Sequence, residues 1–351
     1  MQLGISTFGE VAYENVSGHA VKAHQRMQEL LLEAKLADEI GLDVFAVGEH
    51  HRSDFIISAP EVTLGAIAAV TKNIRLSSSV TVLSSADPVR VFQNFATVDL
   101  ISNGRAEIMA GRGSFIESFP LFGYSLNDYD ELFAEKLDLL VQINKNEKIS
   151  WKGKHRASIQ NLGVYPRPYQ QSLPIWIAVG GTPASAVRAG KINLPMTVAI
   201  LGGMPAQFVP FVNLYRQSAQ EAGHNPDKLQ LAINSQFYIA EDSQTAASEF
   251  YPSYELLMNR VGRERGWSPM TRQQFEFLRS PDGPLFVGSV QDIIDKLRYQ
   301  HKLFKNTRFL GQIIKGALPH EKILRSIELL GTEVAPVIRK ELGITPELQE
   351  K

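Results

Sequence analysis

The sequence predicts a (β/α)8 barrel. Three observations carry that expectation. Short apolar strand patterns alternate with helical ones eight times along the chain. Runs such as Ile175 to Val179 are apolar throughout, as strands covered on both faces must be. Polar or glycine-rich segments follow the strands directly, at Glu49-His50-His51, Ser84-Ser85, Gly111-Arg112 and Gly180-Gly181. That is where a barrel of this kind carries its chemistry. Residues 1–351 read as one barrel domain with insertions near 146–173 and 241–285.

In order, strand one is expected over Leu3 to Phe8. A helix follows over Ala23 to Ile40, with apolar residues at Met27, Leu30, Leu31, Ala34, Ala37 and Ile40 and a glycine stop at Gly41. Strand two is Asp43 to Gly48, a helix covers Pro60 to Val70, and strand three spans Ile74 to Leu83. Pro88 begins a helix that runs to Ile101 and closes at Asn103-Gly104. Strand four is Ala106 to Ala110, followed by Gly111-Arg112-Gly113-Ser114 and a helix over Tyr129 to Asn144.

Proline and glycine punctuate residues 146–173, which read as a polar hairpin or loop insertion. Strand five is Ile175 to Val179, with Thr182 as N-cap, Pro183 at the first helical position and Gly190 as the stop. Strand six lies over Met196 to Ile200, a helix over Ala206 to Ala222, and strand seven over Gln230 to Ile239. The 241–285 section is helical and aromatic, its rings read as the core of an insertion. Strand eight is Thr307 to Ile314, between helices Val290 to Leu303 and Glu321 to Leu342.

Of the 351 residues, 44% are hydrophobic and 21% charged, and Lys plus Arg number 36 against 37 Asp plus Glu. The net charge of −1 supplies no general attraction to nucleic acid or anionic membranes. No cysteine is present, so disulfides, thiolate nucleophiles and thiolate metal sites are excluded. No run of about 18 apolar residues could span a membrane. The opening segment is a strand pattern without a charged region and apolar stretch ahead of it, so a cytoplasmic protein is expected.

Among the candidate site residues, a strand end, Gly180-Gly181 and a capped helix start would together expose N–H groups at a positive helix end, which is how phosphate is held. The same glycines also suit the packing of an ordinary strand-to-helix joint. His50 suits proton transfer near neutral pH, or else is a hydrogen-bonded structural histidine. Arg112 offers a planar fork to a phosphate or anionic ring, or else a salt bridge between mouth loops. Ser77-Ser78-Ser79-Val80-Thr81 places hydroxyls inside a barrel wall, where they meet a ligand edge or the main chain. A metal site would need further convergent ligands. The remaining histidines, His19, His24, His155, His224, His301 and His320, fall mostly in expected helices or loops, so none is assigned.

The ordered set Glu49-His50-His51, Lys72-Asn73-Ile74-Arg75-Leu76, Asp87-Pro88-Val89-Arg90, Asn103-Gly104-Arg105 with Gly111-Arg112-Gly113, Pro166-Arg167-Pro168 and Pro174-Ile175-Trp176-Ile177 with Gly180-Gly181-Thr182-Pro183 resembles the bacterial-luciferase-like flavin monooxygenases. The resemblance implies a TIM barrel that takes reduced FMN from a separate NAD(P)H:flavin reductase and uses O2 on a small organic substrate, commonly as a homodimer. It implies a catalytic or flavin-facing His50 and a phosphate grip at Gly180, Gly181, Thr182 and Ser185. This grip follows strand five, where many barrels place phosphate after strands seven and eight. Arg112, Ser79 and Val80 are implied at the flavin ring, with a cis peptide bond between Ser79 and Val80. The luciferase subunits carry other residues in place of Gly180-Gly181, so the broader oxidoreductase group is indicated and light emission is not. Deazaflavin- or FMN-dependent hydride transfer is the alternative within flavin chemistry. A metal-dependent hydrolase using Glu49, His50 and His51, or a non-catalytic flavin-binding subunit, are alternatives of other classes.

Overall fold

The structure, a computed structural model, describes residues 1–11, 22–113 and 115–342. His19 and Ser114 lie outside the described residues. The first half comprises β1 (Gln2–Thr7), α1 (Ala23–Glu39), β2 (Val44–Val47), α2 (Pro60–Val70), β3 (Arg75–Ser78), β4 (Thr81–Val82), α3 (Pro88–Ser102), β5 (Ala106–Gly111), α4 (Ser118–Leu121) and α5 (Tyr129–Lys145). A hairpin follows, β6 (Lys148–Trp151) and β7 (Ile159–Gly163). Then come β8 (Ile175–Val179), α6 (Pro183–Lys191), β9 (Met196–Ala199), α7 (Val209–Glu221), β10 (Leu231–Ile239), α8 (Ser243–Arg265), α9 (Arg272–Leu278) and β11 (Phe286–Gly288). The chain ends with α10 (Val290–Phe304), β12 (Arg308–Ile313), α11 (His320–Leu329), a π-helical turn (Leu330–Val334) and α12 (Ala335–Leu342).

Parallel pairing runs β1-β2-β3-β5-β8-β9-β10-β12 and returns from β12 to β1, so the barrel closes. Closure removes the edges of the eight-stranded ring. The insertion at 146–173 is the antiparallel hairpin β6–β7, as its proline and glycine pattern suggests. Strand three departs from expectation. It breaks after Ser78, the Ser79–Val80 peptide bond is cis, and β4 resumes beside β5 alone. In the 241–285 insertion, Phe250, Tyr254 and Phe275 are buried against one another, while Trp267 and Phe277 remain exposed. Beyond it, β11 adds a strand to the end of β10 that no alternation in the sequence marks.

Gly190 is not a helix stop. It lies inside α6, and a Cβ there would stand 2.4 Å from the Tyr215 carbonyl oxygen and 2.9 Å from the Ala219 nitrogen, so it lets α6 and α7 pack backbone to backbone. Gly41 and Asn103 do end their helices, with φ of 78° and 57°.

Period-two alternation points Val44, Met109, Trp176, Ala232 and Leu310 into the barrel, where they form a cluster separate from the outer core. Below them the N-terminal end is closed by charge. Arg308 donates to both oxygens of Glu107, at 2.5 and 3.2 Å, and to Gln2, and its guanidinium lies 4.2 Å from the Trp176 ring centroid. Arg75 adds a bond to Glu107 at 3.2 Å. Burial works against the carboxylate, but the two guanidiniums outweigh it and hold Glu107 below the usual range.

Removing one partner of such a pair strands a buried charge. Arg308→Met should therefore lower unfolding free energy by roughly 3–5 kcal/mol in urea titration. Glu107→Leu combined with Arg308→Met should recover most of that loss.

Candidate active site

At the C-terminal end of β8, Gly180 has no atom within 4 Å of where a Cβ would stand. Gly181 adopts φ of 113° and meets only the Phe208 ring at 3.8 Å. The two glycines thus form an open cradle in which any side chain would fill the space. Thr182 occupies the N-cap of α6 but caps nothing: its hydroxyl accepts from Arg112 Nη2 at 3.0 Å. The helix start therefore keeps its positive end uncapped by any side chain. Ser185 is buried in the first turn, and its hydroxyl has no hydrogen bond among the described residues.

Arg112 comes from the end of β5 and reaches this cradle. It also pairs with Asp130 at 2.5 Å and lies over the Tyr129 ring at 5.1 Å, while Tyr129 donates to the Gly113 carbonyl. The salt-bridge reading of Arg112 is present: its guanidinium pairs with Asp130 and donates to Thr182, tying two mouth loops beside the cradle. Arg188, from α6, is a second cation here. Burial lowers its pKa first, and the Arg112 charge lowers it further. Nothing in the sequence separates Arg188 from any other helical arginine; only the packing of α6 brings it near.

The basin beside the cradle has a floor of small groups. Val80 packs on the interior cluster, and Val80, Ala178 and Ala199 are each partly exposed. Ser77 donates to the Ser78 carbonyl, and Ser78 Oγ both donates to and accepts from the Met109 main chain. Those two hydroxyls serve the backbone. Ser79 makes no side-chain hydrogen bond among the described residues, and Thr81 Oγ1 is buried without a partner.

The Glu-His-His stretch divides. His50 enters a cage of Phe8, Phe55 and Phe115, with ring centroids 4.5, 4.4 and 5.0 Å away, and makes no side-chain hydrogen bond among the described residues. Burial, with help from Arg52 and His51, pushes its pKa down to about 3. His51 turns instead to Glu49 at 2.7 Å, and Glu49 also accepts from the Val82 N–H. The three side chains do not converge as metal ligands. Among the described residues, the only three ligating groups close enough to share an ion are Asp128, Glu131 and His155, on the surface around α5 and the hairpin.

Helix α8 closes the mouth from above. Arg52 bonds Glu264 at 2.6 and 3.0 Å, Glu117 at 2.8 Å and Asp54 at 3.3 Å, and Arg260 pairs with Asp54 at 2.8 Å. These contacts join the loop after β2 to the C-terminal end of α8, directly over the Phe115 edge of the His50 cage. Sequence reasoning had left α8 without a role.

Comparison with known proteins gives the family and the fold. Residues 1–306 match the family model of luciferase-like monooxygenases. The chain is 24% identical over 338 residues to the oxygenase component of a flavin-dependent trigonelline monooxygenase from Acinetobacter baylyi, covering 89% of this chain and 90% of that one. Its fold matches the crystal structure of the monooxygenase RslO1 from Streptomyces bottropensis with a TM-score of 0.84, at 24% identity, over 96% of this chain and 100% of the other. It also matches the oxygenating constituent of 3,6-diketocamphane monooxygenase from Pseudomonas putida, solved with FMN, with a TM-score of 0.77 at 20% identity over 96% and 98% of the two chains. The family match spans most of the barrel, and the chain belongs to the luciferase-like monooxygenases, a family of flavin-dependent monooxygenases and oxidoreductases.

Proposed function

We propose that the chain is the oxygenase of a two-component, FMN-dependent monooxygenase, working in the cytoplasm on a small organic substrate with reduced FMN from a separate NAD(P)H:flavin reductase. The observation that carries this reading is the rim: an open glycine cradle, an uncapped helix start, the Ser185 hydroxyl and Arg112 come together, with the Arg188 charge near Arg112. That donor set fits a phosphomonoester. The family match, the FMN held by the camphane-type structure and the description of the trigonelline relative as an oxygenase component support the same reading.

In this reading Gly180, Gly181, Thr182 and Ser185 bind the phosphate through main-chain N–H groups and hydroxyls, with Arg112 and Arg188 balancing its charge. Ser79 and Val80 face the flavin ring. Reduced FMN supplies the electrons that activate O2. Phe8, Phe55 and Phe115 exclude water around His50, and the Arg52 contacts hold α8 over the mouth. His50 sits in that cage as the neutral imidazole. Burial disfavours its protonated form, so at neutral pH it acts as a neutral imidazole that can donate a hydrogen bond from one ring nitrogen and accept one at the other.

The homodimer is proposed through α2. Val62, Ala66, Ala69 and Val70 are exposed along one face, with Gly65 between them, and Leu100 and Ile101 of α3 are exposed as well. Small residues at that spacing let a second helix approach closely.

Anaerobic titration tests the cofactor. Reduced FMN should bind tighter than riboflavin, and Gly180→Val should weaken FMN roughly tenfold or more without lowering the melting temperature, since the added side chain meets only open space. No binding by either flavin ends the reading; binding without O2 consumption turns it to hydride transfer.

The His50 cage has a pH signature. Between about 3 and 6.5 the unfolded chain binds more protons at this residue than the folded one, so stability is full above 6.5 and falls as pH is lowered. Urea unfolding at successive pH values should show a shallower fall for His50→Phe; equal slopes count against a neutral buried imidazole.

Ala66→Glu should convert the dimer to a monomer in sedimentation velocity. A wild-type monomer at micromolar concentration would remove the interface.

A further inference from the structure

Across the barrel mouth from the phosphate rim lies a set of polar groups that neither the rim nor the His50 cage uses. Strand pairing sets Ser6 of β1 beside Gln312 of β12, and Gln312 beside Gln236 of β10. Asn234, one inward position below Gln236, donates to Ser6 Oγ at 2.8 Å. Thr197 of β9 is in register with Ala178 and Ala232, at the level of the apolar cluster and two inward positions below Gln236. Gln236 is 4% exposed, and Gln312 and Thr197 are each 2% exposed. Gln236 Oε1, Gln312 Oε1 and Thr197 Oγ1 have no hydrogen-bond partner among the described residues.

Two neighbouring primary amides could satisfy each other, and these do not. Neither amide makes a side-chain hydrogen bond among the described residues, so turning either over leaves the pair presenting both donors and acceptors. Nearby charges are engaged elsewhere. Arg308, lower on β12, is held by Glu107, and Lys315, past its end, donates to the Leu318 carbonyl. No charged side chain is in register with Gln236 or Gln312, so a carboxylate or sulfonate between them would have no adjacent counter-ion.

We propose that Gln236 and Gln312 form the substrate-recognition subsite, and that it takes an uncharged group that both donates and accepts hydrogen bonds, such as a carboxamide. The proposal rests on the flavin reading above in treating the occupant as the substrate. Specificity then comes from buried polar groups that only a matching ligand satisfies, the arrangement that discriminates most sharply against analogues lacking the group.

The probes are hexanamide and hexanoate, titrated by calorimetry into the flavin-free protein, with reduced FMN titrated separately. Hexanamide should bind, and Gln236→Met and Gln312→Met should each weaken it roughly tenfold, the worth of one buried hydrogen bond. Hexanoate should show no such dependence. The melting temperature should hold or rise in both variants, because a side chain of similar volume replaces an unpaired amide. Absent hexanamide binding, equal response of both probes, or a lower melting temperature with binding unchanged would overturn the proposal. Loss of FMN affinity in the methionine variants would assign the glutamines to the flavin, ending the subsite while the flavin reading stands. The expected amide dependence in a protein that binds no FMN would do the reverse. If the variants do not fold, the wild-type preference for hexanamide over hexanoate decides.

Discussion

The pair formed by Glu107 and Arg308 is the contact on which the rest of the barrel depends. A closed ring of eight parallel strands encloses a space that must be filled from one end and left open at the other. Charge fills it here at the N-terminal end, where Arg308 is clamped by two carboxylate oxygens and lies on Trp176, with Arg75 as a second cation. A buried ion pair contributes little net stability in itself, but its geometry tolerates no rearrangement, so it fixes the register of three strands that are far apart in the chain. Above it the apolar level of Val44, Met109, Trp176, Ala232 and Leu310 completes the plug. Only then can the upper level be lined by small and polar residues without collapse.

That division explains why the mouth can hold chemistry. At the rim of β5 and β8, Gly180 and Gly181 leave open space beside the helix start and Arg112 reaches Thr182, as the proposed phosphate grip requires. Arg112 is bound on two sides, by Asp130 and Thr182, so its fork is oriented before any ligand arrives. Across the mouth, the three rings around His50 strip it of water and hold it neutral. Electrostatics at one edge and desolvation at the other are opposite environments less than a barrel diameter apart. A phosphate-bearing flavin needs the first; a reaction that must be kept from water needs the second.

Helix α8 links the two. Its terminal turn carries Glu264 to Arg52, whose guanidinium also meets Glu117 and Asp54. Each of these pairs is partly exposed and individually weak. Together they converge on one arginine and hold an insertion across the opening, where a single apolar contact would have left it free to slide.

Much of the architecture was legible in the chain itself. Alternation of strand and helix patterns marked all eight barrel strands, Gly41 and Asn103-Gly104 ended their helices, and proline and glycine marked the hairpin insertion. Those features are local: they depend on backbone freedom and on which residues face water within a few positions. The strand-end segments at Glu49, Arg112 and Gly180 were legible for the same reason, and the cis Ser79–Val80 bond followed from family resemblance alone. Other features belong to the closed barrel. Gly190 serves helix packing and not termination, because α7 happens to cross there. Thr182 gives its hydroxyl to Arg112, 70 residues away, in place of its own helix. Glu107 and Arg308 are separated by 201 residues, and the amides of Gln236 and Gln312 become neighbours only when β10 pairs with β12. Local sequence thus determined which elements form and where their ends lie. Tertiary structure decided which side chains meet, because an ion pair or a shared pocket exists only once closure has brought distant strands side by side.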